Sequence, residues 1–134
     1  MRTIIAGSRT IADPGLLRTA LARCGWTPTT VLSGDALGAD RLGAAWAQEA
    51  KVPTTHYPLT RFLDHREPAA WARAGRARNL VMAYHADALI ALWDGESAGT
   101  EHMIATARRL HLHWYIWNVT THQESWSLPQ LPLT

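Results

Sequence analysis

Three short segments of this chain combine glycine, hydroxyl and charged residues in the way that suits contact with a phosphate. They are Gly7-Ser8-Arg9, Ser33-Gly34-Asp35-Ala36-Leu37-Gly38-Ala39-Asp40 and Asp94-Gly95-Glu96-Ser97-Ala98-Gly99-Thr100. Glycine lets backbone N–H groups come close to an anion, a hydroxyl donates a further bond, and a helix starting just beyond lends the positive end of its dipole. Each segment taken singly also reads as ordinary strand-to-helix punctuation, because Gly-Ser turns are common. Arg9 fits either a phosphate ligand or a surface residue. Asp40 fits either a partner for a ribose hydroxyl or a favourable acid in a helix's first turn. No Walker sequence is present, and neither Gly34 to Gly38 nor Gly95 to Gly99 forms G-x-G-x-x-G, which argues against ATP hydrolysis and hydride transfer. The seven histidines (56, 65, 85, 102, 111, 113 and 122) are scattered. His111-x-His113 is the one candidate metal pair, and a zinc site would need a third ligand that the sequence does not nominate. No metal and no cofactor is expected.

The three segments can act together only if one scaffold brings them to one edge. Short apolar runs, each followed by a helix-like stretch, predict βα units of a parallel sheet. Strands are expected over residues 3–6, 29–32, 52–57, 88–93 and 112–117, with helices from Pro14 to about Arg23 and over 39–50, 69–85 and 100–110. Asp13 caps the first helix, Pro14 takes its favoured first position and Gly25 ends it. The run Ala88-Leu89-Ile90-Ala91-Leu92-Trp93 is apolar on both faces and so belongs at the centre. The expected architecture is α/β: a five-stranded parallel sheet in order 3-2-1-4-5 with helices on both faces. All three polar segments then leave the carboxyl ends of strands, where such sheets bind ligands. Residues 58–68, with two prolines and no period, read as a loop that could cover a ligand, and 118–134 as an irregular tail.

Composition narrows the class of function. A chain of 134 residues suits a single domain, 1–134, and 47% hydrophobic residues suffice for a packed core. The net charge of +2, from 13 basic and 11 acidic residues, does not call for strong nucleic-acid binding. The lone Cys24 cannot form an internal disulfide, and the apolar start is too short for a signal peptide or membrane span, so a reducing, cytoplasmic setting without a membrane is expected. Three of the seven tryptophans, Trp114, Trp117 and Trp126, lie near the carboxyl end and suggest a buried interface in a homo-oligomer.

With these residues assembled, the chain resembles the SLOG superfamily of Rossmann-like proteins, specifically its small YspA/YpsA-related branch, often encoded by phages and actinobacteria. The resemblance spans roughly residues 2 to 117. It rests on Ile5-Ala6-Gly7-Ser8-Arg9, Ser33-Gly34 to Gly38-Ala39-Asp40, Arg78-Asn79-x-x-Met82 and Trp93-Asp94-Gly95-x-Ser97-x-Gly99-Thr100-x-His102-Met103-Ile104. The superfamily includes LOG phosphoribohydrolases, the DNA-processing protein DprA and sensors of nucleotide-derived messengers. By this resemblance Arg78 sits where LOG enzymes carry the arginine of R-K-x-x-M, and Gly99-Thr100 matches the end of their P-G-G-x-G-T phosphate loop. That implies a nucleotide monophosphate as ligand. The LOG glutamate falls at Met103, and a thioether cannot transfer a proton. Only Asp94, Glu96, Glu101 or Asp40 could substitute, and His102 beside Asp94 would be another proton-transfer pair.

Three functions follow. The first is a binder, sensor or sequestering protein, of a nucleotide or nucleotide derivative, held by Gly7, Ser8, Arg9, Ser33, Gly34, Gly38, Asp40, Arg78, Asn79, Asp94, Gly95, Ser97, Gly99 and Thr100. The second is a LOG-like hydrolase of the N-glycosidic bond of a nucleoside monophosphate, with Asp94 and His102 as candidate catalytic residues. The third is a DprA-like single-strand DNA binder using Arg73, Arg76 and Arg78, which the low net charge opposes.

Overall fold

The computed structural model describes residues 1–63 and 70–127. Its strands are β1 (Arg2–Gly7), β2 (Thr30–Ser33), β3 (Thr54–His56), β4 (Ala88–Trp93), β5 (His113–Asn118) and β6 (Glu124–Trp126). Its helices are α1 (Pro14–Arg23), α2 (Ala39–Ala50), α3 (Trp71–His85) and α4 (Ala98–Arg109). They build one six-stranded sheet in the order β3-β2-β1-β4-β5-β6. The pairs from β3 to β5 are parallel, in the expected order 3-2-1-4-5.

Two expectations need correction. Among the described residues the sheet has six strands, not five, because part of the tail expected to be irregular returns as β6, antiparallel to β5. Asn118 Oδ1 accepts the N–H groups of Thr120 and Thr121, which turns the chain back. A three-residue strand is too short to carry a periodic signal. The third strand is also shorter than expected, and Leu59–Phe62 after it form a 3-10 turn. The remainder of the expected covering loop and the chain beyond Ser127 lie outside the described residues.

Strand side chains alternate between faces, and this alternation divides the core in two. Ile4, Leu32, Leu89, Ala91 and Ile116 face α3 and α4, meeting Met82, Ala83, Met103, Ile104 and Ala107. Their neighbours Ile5, Val31, Ile90, Leu92 and Tyr115 face α1 and α2, meeting Leu17, Ala20, Ala39 and Ala47. β4 is buried on both faces, as its continuous apolar run requires. The local signals also hold: Asp13 accepts the Gly15 N–H at 2.9 Å and Pro14 opens α1. No described helix is long and apolar enough to cross a membrane.

Candidate functional site

The parallel register brings the ends of β1, β2 and β4 to the same edge, and specific contacts then tie their loops together. Ser8 donates its backbone N–H to the Leu92 carbonyl at 3.0 Å, while its hydroxyl accepts the Asp94 N–H at 3.0 Å. The loop after β2 crosses the loop after β1 so closely that a Cβ on Gly38 would strike the Ser8 carbonyl oxygen and lie 2.7 Å from Arg9 backbone atoms. Gly38 also has φ of 82°, a conformation that favours glycine. Gly7, Ser8, Gly38 and Asp94 are thus brought together, whereas Arg9 stands exposed at the rim.

The second cluster forms around Gly34. Arg78 reaches across from α3 and donates Nη1–H to the Gly34 carbonyl at 3.1 Å. A Cβ on Gly34 would lie 2.8 Å from Asp40 Oδ2 and 2.9 Å from Arg78 Cζ, so carboxylate and guanidinium flank a bare backbone. Arg78 Nε is buried and has no partner among the described residues. Asp40, in the first turn of α2, is 5% exposed, and its Oδ2 accepts the Ala36 N–H at 3.4 Å. Burial pushes its carboxyl up to about 6, against the opposing pull of Arg78.

The third cluster is the start of α4. Asp94 Oδ1 accepts the N–H groups of Glu96 and Ser97, each at 2.8 Å, and these bonds hold its carboxyl below the usual carboxylate range. Ser97 caps α4: its Oγ accepts from Thr100 N–H at 3.5 Å and from Thr100 Oγ1 at 3.1 Å. A Cβ on Gly99 would meet open space, so that backbone faces outward. Buried Asn79 donates from Nδ2 to the Gly99 carbonyl at 3.3 Å and to His102 Nδ1 at 3.1 Å, locking α3 to α4. His102 therefore carries its proton on Nε2, and burial followed by Arg76 and Arg109 lowers its pKa, leaving a neutral imidazole at pH 7.

Asp94 and His102 are engaged with different partners: the carboxylate with the turn that starts α4, the imidazole with Asn79. Met103 is 2% exposed and belongs to the core against the sheet. Arg73 and Arg76 are exposed on α3 while Arg78 turns toward Gly34, so the three arginines do not form one stripe. No group of three or more His, Cys, Asp or Glu that could hold a metal occurs among the described residues.

The residues legible in the sequence did not include a pair at the ends of β2 and β3. His56 Nδ1 lies 2.7 Å from Asp35 Oδ1, and Ser33 Oγ donates to the same oxygen at 3.3 Å. Asp35 holds φ of 59°, uncommon for a residue other than glycine. The β2–β3 register sets Ser33 beside His56, a juxtaposition that only strand pairing reveals.

Residues 1–62 match the model of the YspA, cpYpsA-related SLOG family. No curated protein and no solved structure matches the chain.

Proposed function

We propose, from the match of residues 1–62 to the YspA-related SLOG family, that this chain binds a nucleotide or nucleotide derivative at the carboxyl edge of its sheet. The observation that carries the reading is Arg78: a guanidinium fixed by Gly34, with a buried Nε–H that has no described acceptor, beside two glycine-bearing loops. A buried donor without a partner is costly, and a phosphate drawn to the guanidinium would satisfy it with a charge-assisted bond once the side chain shifts slightly to expose it. The phosphate lies against Arg78 and the Gly34 loop, Ser97, Gly99 and Thr100 offer the start of α4, and Ser8 and Asp94 close the far side. Asp40 and Asn79 hold this frame.

Native mass spectrometry of the purified chain tests the reading, with AMP and GMP as added probes. A bound nucleotide is the expected result. Arg78→Ala removes a contact worth about 1.5–3 kcal/mol, and Gly99→Val blocks the approach to outward-facing backbone, so both lower affinity in calorimetry while the circular dichroism spectrum stays unchanged. Unchanged affinity in both variants moves the site elsewhere.

Binding without release of the base follows from Met103, whose place in the core leaves no carboxylate where the resembling hydrolases hold theirs. Chromatography of AMP and GMP incubated with the chain is expected to recover them with the base attached. Rapid base release, abolished by His102→Ala or Asp94→Asn, overturns the binder in favour of a LOG-like N-glycosidase. A salt-dependent shift of single-strand DNA would favour a DprA-like role instead. The chain works as a homo-oligomer in the cytoplasm, a setting that suits its buried free Cys24.

A further inference from the structure

We propose that His56, oriented by Asp35, is a general base that hydrolyses a phosphodiester of a bound cyclic nucleotide; this rests on the nucleotide-binding reading above. A carboxylate only accepts hydrogen bonds, so the 2.7 Å contact to Asp35 Oδ1 places the imidazole proton on Nδ1 and leaves the Nε2 lone pair free. Two further features hold Asp35 in place. Ser33 Oγ donates to Asp35 Oδ1 at 3.3 Å, and its oxygen accepts the Asp35 N–H at 3.1 Å. Asp35 also keeps a left-handed backbone, φ 59°, a conformation uncommon outside glycine that persists where the surroundings impose it. Both partners remain open to solvent, with side-chain exposures of 51% for His56 and 39% for Asp35, so Nε2 can meet a water molecule.

The position of the pair selects the bond. Asp35 follows Gly34, whose carbonyl holds the Arg78 guanidinium, so the part of a ligand nearest the pair is the phosphate drawn to Arg78. A general base matters most where the attacking water must lose its proton as the bond to phosphorus forms, as expected for a singly charged diester. Monoester transfer runs through a looser transition state and gains less. His56 Nε2 takes a proton from water as the water oxygen bonds to phosphorus. The P–O bond to the ribose oxygen in line with that water breaks with its electron pair on the ribose oxygen, which takes a proton from solvent while His56 returns its own to solvent. Cyclic nucleotide and water become a ring-opened nucleoside monophosphate, with nothing oxidised or reduced.

The probes are 3′,5′- and 2′,3′-cyclic AMP and GMP, with products followed by phosphorus NMR and affinity by calorimetry on the full chain. Turnover to the monophosphate is expected. His56→Ala should lower kcat by about 10²–10⁴-fold with affinity retained, and added imidazole should restore part of it. Asp35→Asn, a change to a positioning residue, should lower kcat while KM stays nearly constant, and Asp35→Glu should recover part of the rate. Binding without turnover, or turnover that survives His56→Ala, overturns the His56 proposal and leaves nucleotide binding standing. Absence of binding by any cyclic nucleotide or by AMP and GMP overturns both.

Discussion

Asp40 illustrates how a single side chain can be held against its own stability. Its carboxyl is pushed up to about 6 because burial outweighs the help from Arg78 and the Ala36 N–H. A folded-state pKa above the unfolded value means that the folded protein binds the proton more tightly. This contribution to stability is complete below the ordinary carboxyl value of 3.8 and lost as pH rises through about 6. Asp40→Asn cannot ionise, so the variant should be more stable than the parent above pH 7 by about 3 kcal/mol, at roughly 1.4 kcal/mol per tenfold change in proton affinity, with the gap closing by pH 4. Urea midpoints across that range check this, and a gap independent of pH contradicts it. A carboxylate retained at such a cost beside Arg78 fits a ligand site, where stability commonly gives way to function.

Among the elements, β6 is the addition that the sequence did not announce, and its anchorage is polar. Arg23 at the end of α1 grips Glu124 through two of its guanidinium nitrogens, Nε and Nη2, and buried Tyr115 donates its hydroxyl to Glu124 Oε1 at 2.6 Å. Trp126 adds an Nε1–H bond to the Arg23 carbonyl at 3.0 Å, with its ring 5.4 Å from that of Tyr115. Burial, then the bond to Glu124, raise the Tyr115 phenol well above its ordinary value, while the bond from Arg23 lowers Glu124. Tyr115→Phe deletes one bond to a charged acceptor and should cost about 1–3 kcal/mol. The expected signature is a lower urea midpoint with faster amide exchange at Ser125 and Trp126. Unchanged exchange there would mean that β6 holds without the clasp.

At the scale of the molecule, the tryptophans that suggested an interface are largely occupied within the chain. Trp114 lies under the Arg108 guanidinium at 4.8 Å, and Trp117 and Trp126 pack on the core cluster under α1 and α2. The large exposed apolar side chains include Trp71, Leu80 and Tyr84 of α3 instead, at 55%, 40% and 68% exposure. A homo-oligomer is therefore expected to associate through α3, and sedimentation velocity at micromolar concentration should find a dimer or larger species that Leu80→Glu with Tyr84→Glu dissociates. Monomer alone for the parent chain rejects it. The sequence by itself determined the order of the parallel strands, the caps of α1 and the three glycine-bearing loops, because local periodicity and turn chemistry are written in neighbouring residues. Only the tertiary structure decided what those loops touch. Arg78 finds Gly34 from 44 residues away, Asn79 joins Gly99 to His102, and His56 meets Asp35 across paired strands. β6 depends likewise on Arg23, 101 residues before Glu124. Such contacts leave no periodic trace, since they arise from strand register and helix packing rather than from the spacing of residues along the chain.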